Sequence, residues 1–330
     1  MSGITEAVPH ISVVIPTYER PEFLRGAIET ALGQTHNDLD IVVVDDGSSE
    51  QYAEEIVAEF PEIVRCVRHK ENKGLSAARN TGVSESSSEY IAFLDDDDRW
   101  HREKIARQVD ALERNDTAGI ATCLVGAITP NNELIHCEQS APSGDCSETI
   151  LVGNQIGTPS RVLVRRDAFK DVGGFDESLP TKQDWDFYIR LCQQWTVAAV
   201  PEHLCFRMVH QSMSSSPESA KRDNAAILDK HAALLRKQDR WEKAQAEVAE
   251  RVGRAYLRNG KQPSAREQFE RSLRFDPTIQ RAVLYLLTVT PPAVVKKLRK
   301  IKRQRSIRKS GCDDMLTTDE VKFTDEKDII

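Results

Sequence analysis

Tyr90-Ile91-Ala92-Phe93-Leu94-Asp95-Asp96-Asp97-Asp98 passes from five apolar residues to four aspartates without a break. A short apolar run bounded by charge predicts a buried strand. Two earlier stretches have the same form. Ile11-Ser12-Val13-Val14-Ile15-Pro16 leads into Thr17-Tyr18-Glu19, and Leu39-Asp40-Ile41-Val42-Val43-Val44 leads into Asp45-Asp46-Gly47-Ser48-Ser49. Residues 63–67 form a further apolar run. Between these runs the period changes. Pro21 sits at a first helical position, and Leu24, Ala27, Ile28, Ala31 and Leu32 follow at helical spacing. Tyr52, Ile56 and Phe60 mark a second helix, and residues 74–83 a third. Strands alternating with helices predict a parallel, three-layer α/β sheet. Ligands bind such sheets outside the carboxyl ends of the strands. The polar clusters at 17–19, 45–48 and 95–98 are therefore expected to converge on one site.

Beyond residue 115 the pattern is mixed. Strands are expected at 119–127, 134–135, 160–165, 196–200 and 204–209, with turns at 130–132 and 173–176 and a helix over 184–194. From residue 218 onward the chain reads as almost wholly helical, with a Ser- and Pro-rich boundary at 211–217. The expected organisation is an arm (1–10), a catalytic α/β domain (11–213), a helical extension (214–290), a basic amphipathic helix (291–310) and an acidic tail (311–330).

The chain has 330 residues, 39% hydrophobic and 29% charged, enough for a sizeable core. A net charge of −7 argues against a nucleic-acid binder. Seven cysteines without a C-x-x-C pair suggest neither a zinc site nor a disulfide framework, and predict reduced thiols in a cytoplasmic setting. The N-terminus lacks the basic and apolar regions of a signal peptide. No stretch reaches the length of a membrane span.

Clustered carboxylates at a rigid strand end suit a hard divalent cation, Mg²⁺ or Mn²⁺, which can bridge a diphosphate. An arbitrary acidic run is more often a solvated loop, but its place at a strand end favours the metal. Asp46 suits a hydrogen-bond donor such as a base N–H or a ribose hydroxyl, or else a turn-capping role. Arg79, on the helix after Asn72-Lys73-Gly74-Leu75-Ser76, can reach phosphates as a bidentate donor.

Residues 11–212 resemble a family 2 glycosyltransferase of the A-type (GT-A) fold. The segments that carry the resemblance are Val14-Ile15-Pro16-Thr17-Tyr18, Val43-Val44-Asp45-Asp46-Gly47-Ser48, and Asn72 through Asn80. Tyr90 through Asp98 and Gly173-Gly174-Phe175-Asp176-Glu177 complete the set. The resemblance implies a nucleotide-sugar donor, a UDP-sugar above all, and a divalent metal. It implies that Pro16, Thr17 and Asp46 hold the nucleoside, with Tyr18, Glu19, Gly74 and Arg79 supporting the nucleotide. Glu19 stands where many members carry Asn. Asp95-Asp96-Asp97 matches the family's D-x-D, with Asp95 and Asp96 near the nucleotide-sugar and Asp97 the metal ligand. Asp184, in Lys182-Gln183-Asp184-Trp185, matches the catalytic base of an inverting transfer, with Asp186 as fallback. Gln183 stands in place of the usual Glu. Arg207, His210 and Ser212 resemble a segment that closes over the diphosphate, His210 helping to hold metal.

The extension around Val252-Gly253, Gly260, Ala265, Phe269 and Asp276-Pro277 resembles one tetratricopeptide-type hairpin, suited to packing on its own domain or on another copy. Nine Lys and Arg residues between 294 and 309 surround Val294, Leu298 and Ile301. Such a stripe predicts peripheral attachment to an anionic membrane or a solvated helix. The expected acceptor is a glycan or lipid-linked saccharide. The alternatives are a polyprenyl-phosphate sugar synthase and a non-catalytic transferase-like scaffold.

Overall fold

The computed structural model describes residues 9–130, 133–209 and 216–288. The sites expected at His210 and Ser212, the basic helix and the acidic tail lie outside the described residues. The chain divides into two compact units. The first holds described residues 9–145 and 156–209, and the second holds 146–155 and 216–288.

In the first unit β1 (Ile11–Thr17), α1 (Pro21–Leu32), β2 (Leu39–Asp45), α2 (Tyr52–Val57), β3 (Val64–Arg68), α3 (Leu75–Ser84) and β4 (Tyr90–Phe93) alternate as the periodicity predicts. β1 pairs in parallel with β2 and β4, and β2 with β3. The register sets Thr17 beside Asp45, so the first two polar clusters end level. The Leu94 amide donates to the Val14 carbonyl at 3.0 Å, which carries β4 up to its aspartates beside them. β1 is buried along its whole length, as expected for a strand covered on both faces.

The remainder of the sheet departs from an all-parallel reading. Next come β5 (Arg99–Trp100), α4 (Lys104–Glu113), β6 (Ala118–Ile128) and β7 (Leu134–Cys137). They are followed by α5 (Thr149–Val152), β8 (Val162–Arg165), α6 (Arg166–Asp171), α7 (Gln183–Cys192) and β9 (Thr196–Met208). The strand order is β3-β2-β1-β4-β8-β6-β9-β5, with β7 on β6. β8 runs antiparallel to β4 and β6, so the sheet is mixed. The two strands expected at 196–200 and 204–209 form one strand, β9. β6 absorbs the interruption by shifting register between Cys123, paired with Val200, and Leu124, paired with His203. Cys66, Cys123, Cys146, Cys192 and Cys205 are free thiols. Cys137 is disulfide-bonded, which corrects the all-thiol expectation.

The second unit contains α5 with α8 (Pro217–Lys230), α9 (Ala232–Lys237), α10 (Trp241–Arg258), α11 (Gln262–Phe275) and α12 (Ile279–Leu287). α10 and α11 form the expected hairpin. Gly253 lets the helices approach closely: a Cβ there would lie 2.8 Å from the Phe269 ring. Ser272 Oγ donates to the Ala246 carbonyl at 2.7 Å across the same contact. Among the described residues no helix is long and apolar enough to cross a membrane.

Candidate active site

The carboxyl ends of β1 and β2 and the start of α3 meet around a 360 Å³ cavity lined by Pro16, Thr17, Tyr18, Arg20, Asp46 and Gly74, among others. Thr17, the last residue of β1, is buried and joins two clusters. Its hydroxyl donates to Asp96 Oδ2 at 2.8 Å and accepts from the Tyr52 hydroxyl at 2.8 Å. Glu19 occupies left-handed backbone, φ 54°, unusual for a residue with a Cβ. Its carboxylate accepts from the Ser49 amide at 2.7 Å and the Ser49 hydroxyl at 3.0 Å. Glu19 thus ties the β1 loop to the β2 loop. Tyr18 is exposed beside it.

Asp46 is almost fully buried and organises the loop before α3. Oδ1 pairs with His69 Nδ1 at 2.7 Å and accepts from the Lys73 amide at 2.9 Å; Oδ2 accepts from the Gly74 amide at 2.8 Å. The turn-capping reading of Asp46 is therefore realised. The adjoining Gly47 has φ 78°, and a Cβ there would meet the Glu71 backbone at 2.5 Å. Only glycine fits that turn.

The four aspartates divide by depth. Asp95 is partly exposed and receives Arg79 Nη2 at 2.5 Å. Its amide donates to Ser160 Oγ at 3.0 Å. Arg79 is buried and lies over the Phe175 ring at 5.3 Å. Asp96 points inward to Thr17, and burial raises its pKa to about 7 against the opposing pull of Arg20 and the Thr17 bond. Asp97 Oδ2 accepts from Arg20 Nη1 at 3.0 Å. Asp98 accepts from the Met208 amide at 3.2 Å, tying the cluster to the end of β9. Its burial, then the charges of Asp95 and Asp97, push its pKa well up. Arg207 precedes Met208 on β9, beside Ala127, with its side chain exposed.

Asp184 lies in the first turn of α7. Burial raises its pKa, and the Trp185 amide, Arg79 and Lys182 only partly offset this. A helix start alone would lower it, so desolvation wins. The charges of Arg79 and Asp95 both reach Asp184. Asp186, the fallback, is buried and grips Arg190 at 2.8 Å, while Arg190 Nη2 donates to the Gly174 carbonyl at 2.8 Å. A second cavity of 610 Å³, lined by residues 72–76 and 177–183, shares Asn72, Gly74 and Leu75 with the first.

Three further side chains belong to this site, none of them a site residue in the sequence reading. Arg20 bridges Asp96 and Asp97, Tyr52 braces Thr17, and His69 links Asp46 to Thr81 at 2.9 Å. His69 stands one residue past β3, so the strand-end rule that found the other clusters also points to it. Among the described residues no three His, Cys, Asp or Glu side chains form a metal cage.

A sheet of this order with carboxylates at its switch point and a cavity beside them defines a GT-A transferase. The profile of Glycosyl transferase family 2 matches residues 12–173. An uncharacterized glycosyltransferase of Nostoc sp. is 35% identical over 66% of this chain and 72% of its own length. The chain belongs to glycosyltransferase family 2. Some relatives are longer: the chain spans 36% of an uncharacterized glycosyltransferase of Rickettsia felis, at 30% identity over 65% of this chain. Among solved structures, S. aureus TarS 1-349 in complex with UDP-GlcNAc matches with TM-score 0.54 at 16% identity, over 80% of this chain and 91% of that one. Mannosyltransferase PcManGT from Pyrobaculum calidifontis, in complex with GDP-Man and Mn²⁺, matches with TM-score 0.57 at 16% identity, over 92% and 88%. Both likenesses concern the fold.

Proposed function

We propose that this chain transfers a sugar from a UDP-sugar to an acceptor hydroxyl with inversion at the anomeric carbon. The observation that carries the reading is the Arg79–Asp95 pair, 2.5 Å apart past β4, whose charges both reach the buried Asp184 at the start of α7. Pro16, Thr17 and Gly74 line the space for the nucleoside, and Asp46 shapes its floor. Arg79 and Arg207 supply positive charge toward the diphosphate. Asp184 takes the proton of the acceptor hydroxyl while that oxygen bonds to the anomeric carbon. The bond from that carbon to the diphosphate breaks, and nucleoside diphosphate leaves. The raised pKa of Asp184 suits a base, since a more basic carboxylate accepts the proton more readily. Gln183 is neutral and its amide donates to the Pro180 carbonyl at 3.2 Å, so the preceding residue adds no second carboxylate.

Asp97, with Asp95 two residues before it, offers hard oxygen ligands of the kind Mn²⁺ or Mg²⁺ takes. With one or two ligands from the chain, a diphosphate would supply the others. A metal held there would neutralise the departing diphosphate. TarS binds UDP-GlcNAc and PcManGT binds GDP-Man with Mn²⁺, which supports a nucleotide-sugar and metal of this class. The 610 Å³ cavity beside Gln183 is the space for a glycan or lipid-linked acceptor. Attachment to anionic lipid rests on the cations at 296–309, and self-association on the C-terminal helices, where α12 leaves Ile279 and Val283 exposed.

The test is a panel of UDP- and GDP-sugars incubated with the full-length protein, with and without Mn²⁺. Release of UDP from one donor, abolished by chelator, is expected. Release from GDP-sugars alone would overturn the UDP assignment, and release from none would overturn the donor reading.

A further inference from the structure

We propose that Arg20 is a built-in counter-cation for the metal-binding carboxylates, so that divalent cation and nucleotide must enter together. This rests on Asp97 as a metal ligand. Arg20 lies in the loop between β1 and α1, anchored by its amide on the Tyr52 hydroxyl at 3.2 Å. Its side chain folds back onto the acidic cluster. Nη2 lies 2.6 Å from Asp96 Oδ1 and Nη1 lies 3.0 Å from Asp97 Oδ2. Asp96 Oδ1 has no directed hydrogen bond, so that contact is held by charge.

The partners differ in freedom. The side chains of Asp96 and Asp97 are 0% and 9% exposed, whereas that of Arg20 is 39% exposed and lines the 360 Å³ cavity. A metal ion on Asp97 and a guanidinium 3.0 Å from its oxygen would repel each other strongly. The long, half-exposed arginine is the group that can yield. Alone, a divalent cation must displace Arg20 into a cavity whose lining carboxylate, Asp46, is already engaged by His69 and by the Lys73 and Gly74 amides. When a nucleoside diphosphate occupies that cavity, the displaced guanidinium gains phosphate oxygens, which it binds well. Metal and nucleotide then favour each other's binding, and the coupling is reciprocal.

The experiment is a Mn²⁺ titration of full-length protein by electron paramagnetic resonance, with and without UDP, for wild type, Arg20→Gln and Arg20→Lys. Without UDP, Arg20→Gln should bind Mn²⁺ about tenfold more tightly than wild type, the scale of a screened short-range charge pair. The gain that UDP gives to Mn²⁺ affinity should shrink in the same variant. Arg20→Lys keeps the charge but not the two-pronged fork, and should fall between them. A damaged fold would weaken Mn²⁺ binding, so the sign separates the proposal from structural loss. Equal or weaker Mn²⁺ binding in both variants would overturn the role of Arg20. Mn²⁺ binding that survives in the double variant with Asp97→Asn would instead overturn the ligand assignment.

Discussion

Replacing Thr17 by Val exchanges a hydroxyl for a methyl of nearly the same size and removes two buried hydrogen bonds, to Asp96 and to Tyr52. Tyr52 keeps partners, since its hydroxyl also accepts from the Arg20 amide at 3.2 Å and from Ser48 Oγ at 3.4 Å. The cost falls on Asp96, which loses its donor at Oδ2 and retains only the charge contact with Arg20. Removing a hydrogen bond from a buried charged group costs about 2–3 kcal/mol, against about 1 kcal/mol for a neutral one. Protonation therefore sets the size of the effect. Burial lifts the folded pKa of Asp96 to about 7, well above the ordinary carboxylate range. The native state thus holds a proton that the unfolded chain releases, and this stabilisation is full at low pH and lost as pH rises through 7. Loss of the Thr17 bond raises the folded pKa further. Urea unfolding of Thr17→Val should show a loss of about 1 kcal/mol near pH 5 and about 2–3 kcal/mol near pH 9. Thr17→Ser keeps the hydroxyl and should lose less at both. A Thr17→Val penalty independent of pH, or larger at the acid end, would refute the placement of an ionisable Asp96 against Thr17.

Asp97→Ala should abolish the Mn²⁺ dependence of UDP affinity, and chelator should have the same effect on wild type; calorimetric titration reads both. Gly253→Val should destabilise the α10–α11 hairpin by about 1–3 kcal/mol through overpacking against Phe269, read by thermal unfolding of the far-ultraviolet helical signal. Vesicle co-sedimentation should require anionic lipid, weaken with salt and vanish on truncation before Pro291, because each Lys or Arg at such a surface contributes about 1 kcal/mol.

The strand ends were legible because an apolar β-branched run that stops at Asp or Thr carries both its burial and its boundary. Thr17, Asp46 and Asp95 through Asp98 were placed correctly at three such ends. Strand direction has no comparable local signal, so the antiparallel β8 was not anticipated. β5 has two residues, Arg99 and Trp100, too few for any period. The sequence reads as two strands, 196–200 and 204–209, yet β6 shifts register and keeps β9 whole. Arg20 and His69 escaped notice because their partners lie 77 and 23 residues away, at Asp97 and Asp46. Asp46 reads as a ligand contact or a turn cap, and the amides of Lys73 and Gly74 that it accepts from are visible only once the loop is folded.

The central claim is that Asp184 is the base of a sugar transfer from a nucleotide donor. Its most direct test is Asp184→Asn with the donor found in the nucleotide-sugar panel, measuring donor affinity by calorimetry and turnover by release of UDP. Unchanged affinity and a fall in kcat of about 10²-fold or more are expected, the scale of general-base catalysis. Near-normal turnover with unchanged donor affinity would contradict it.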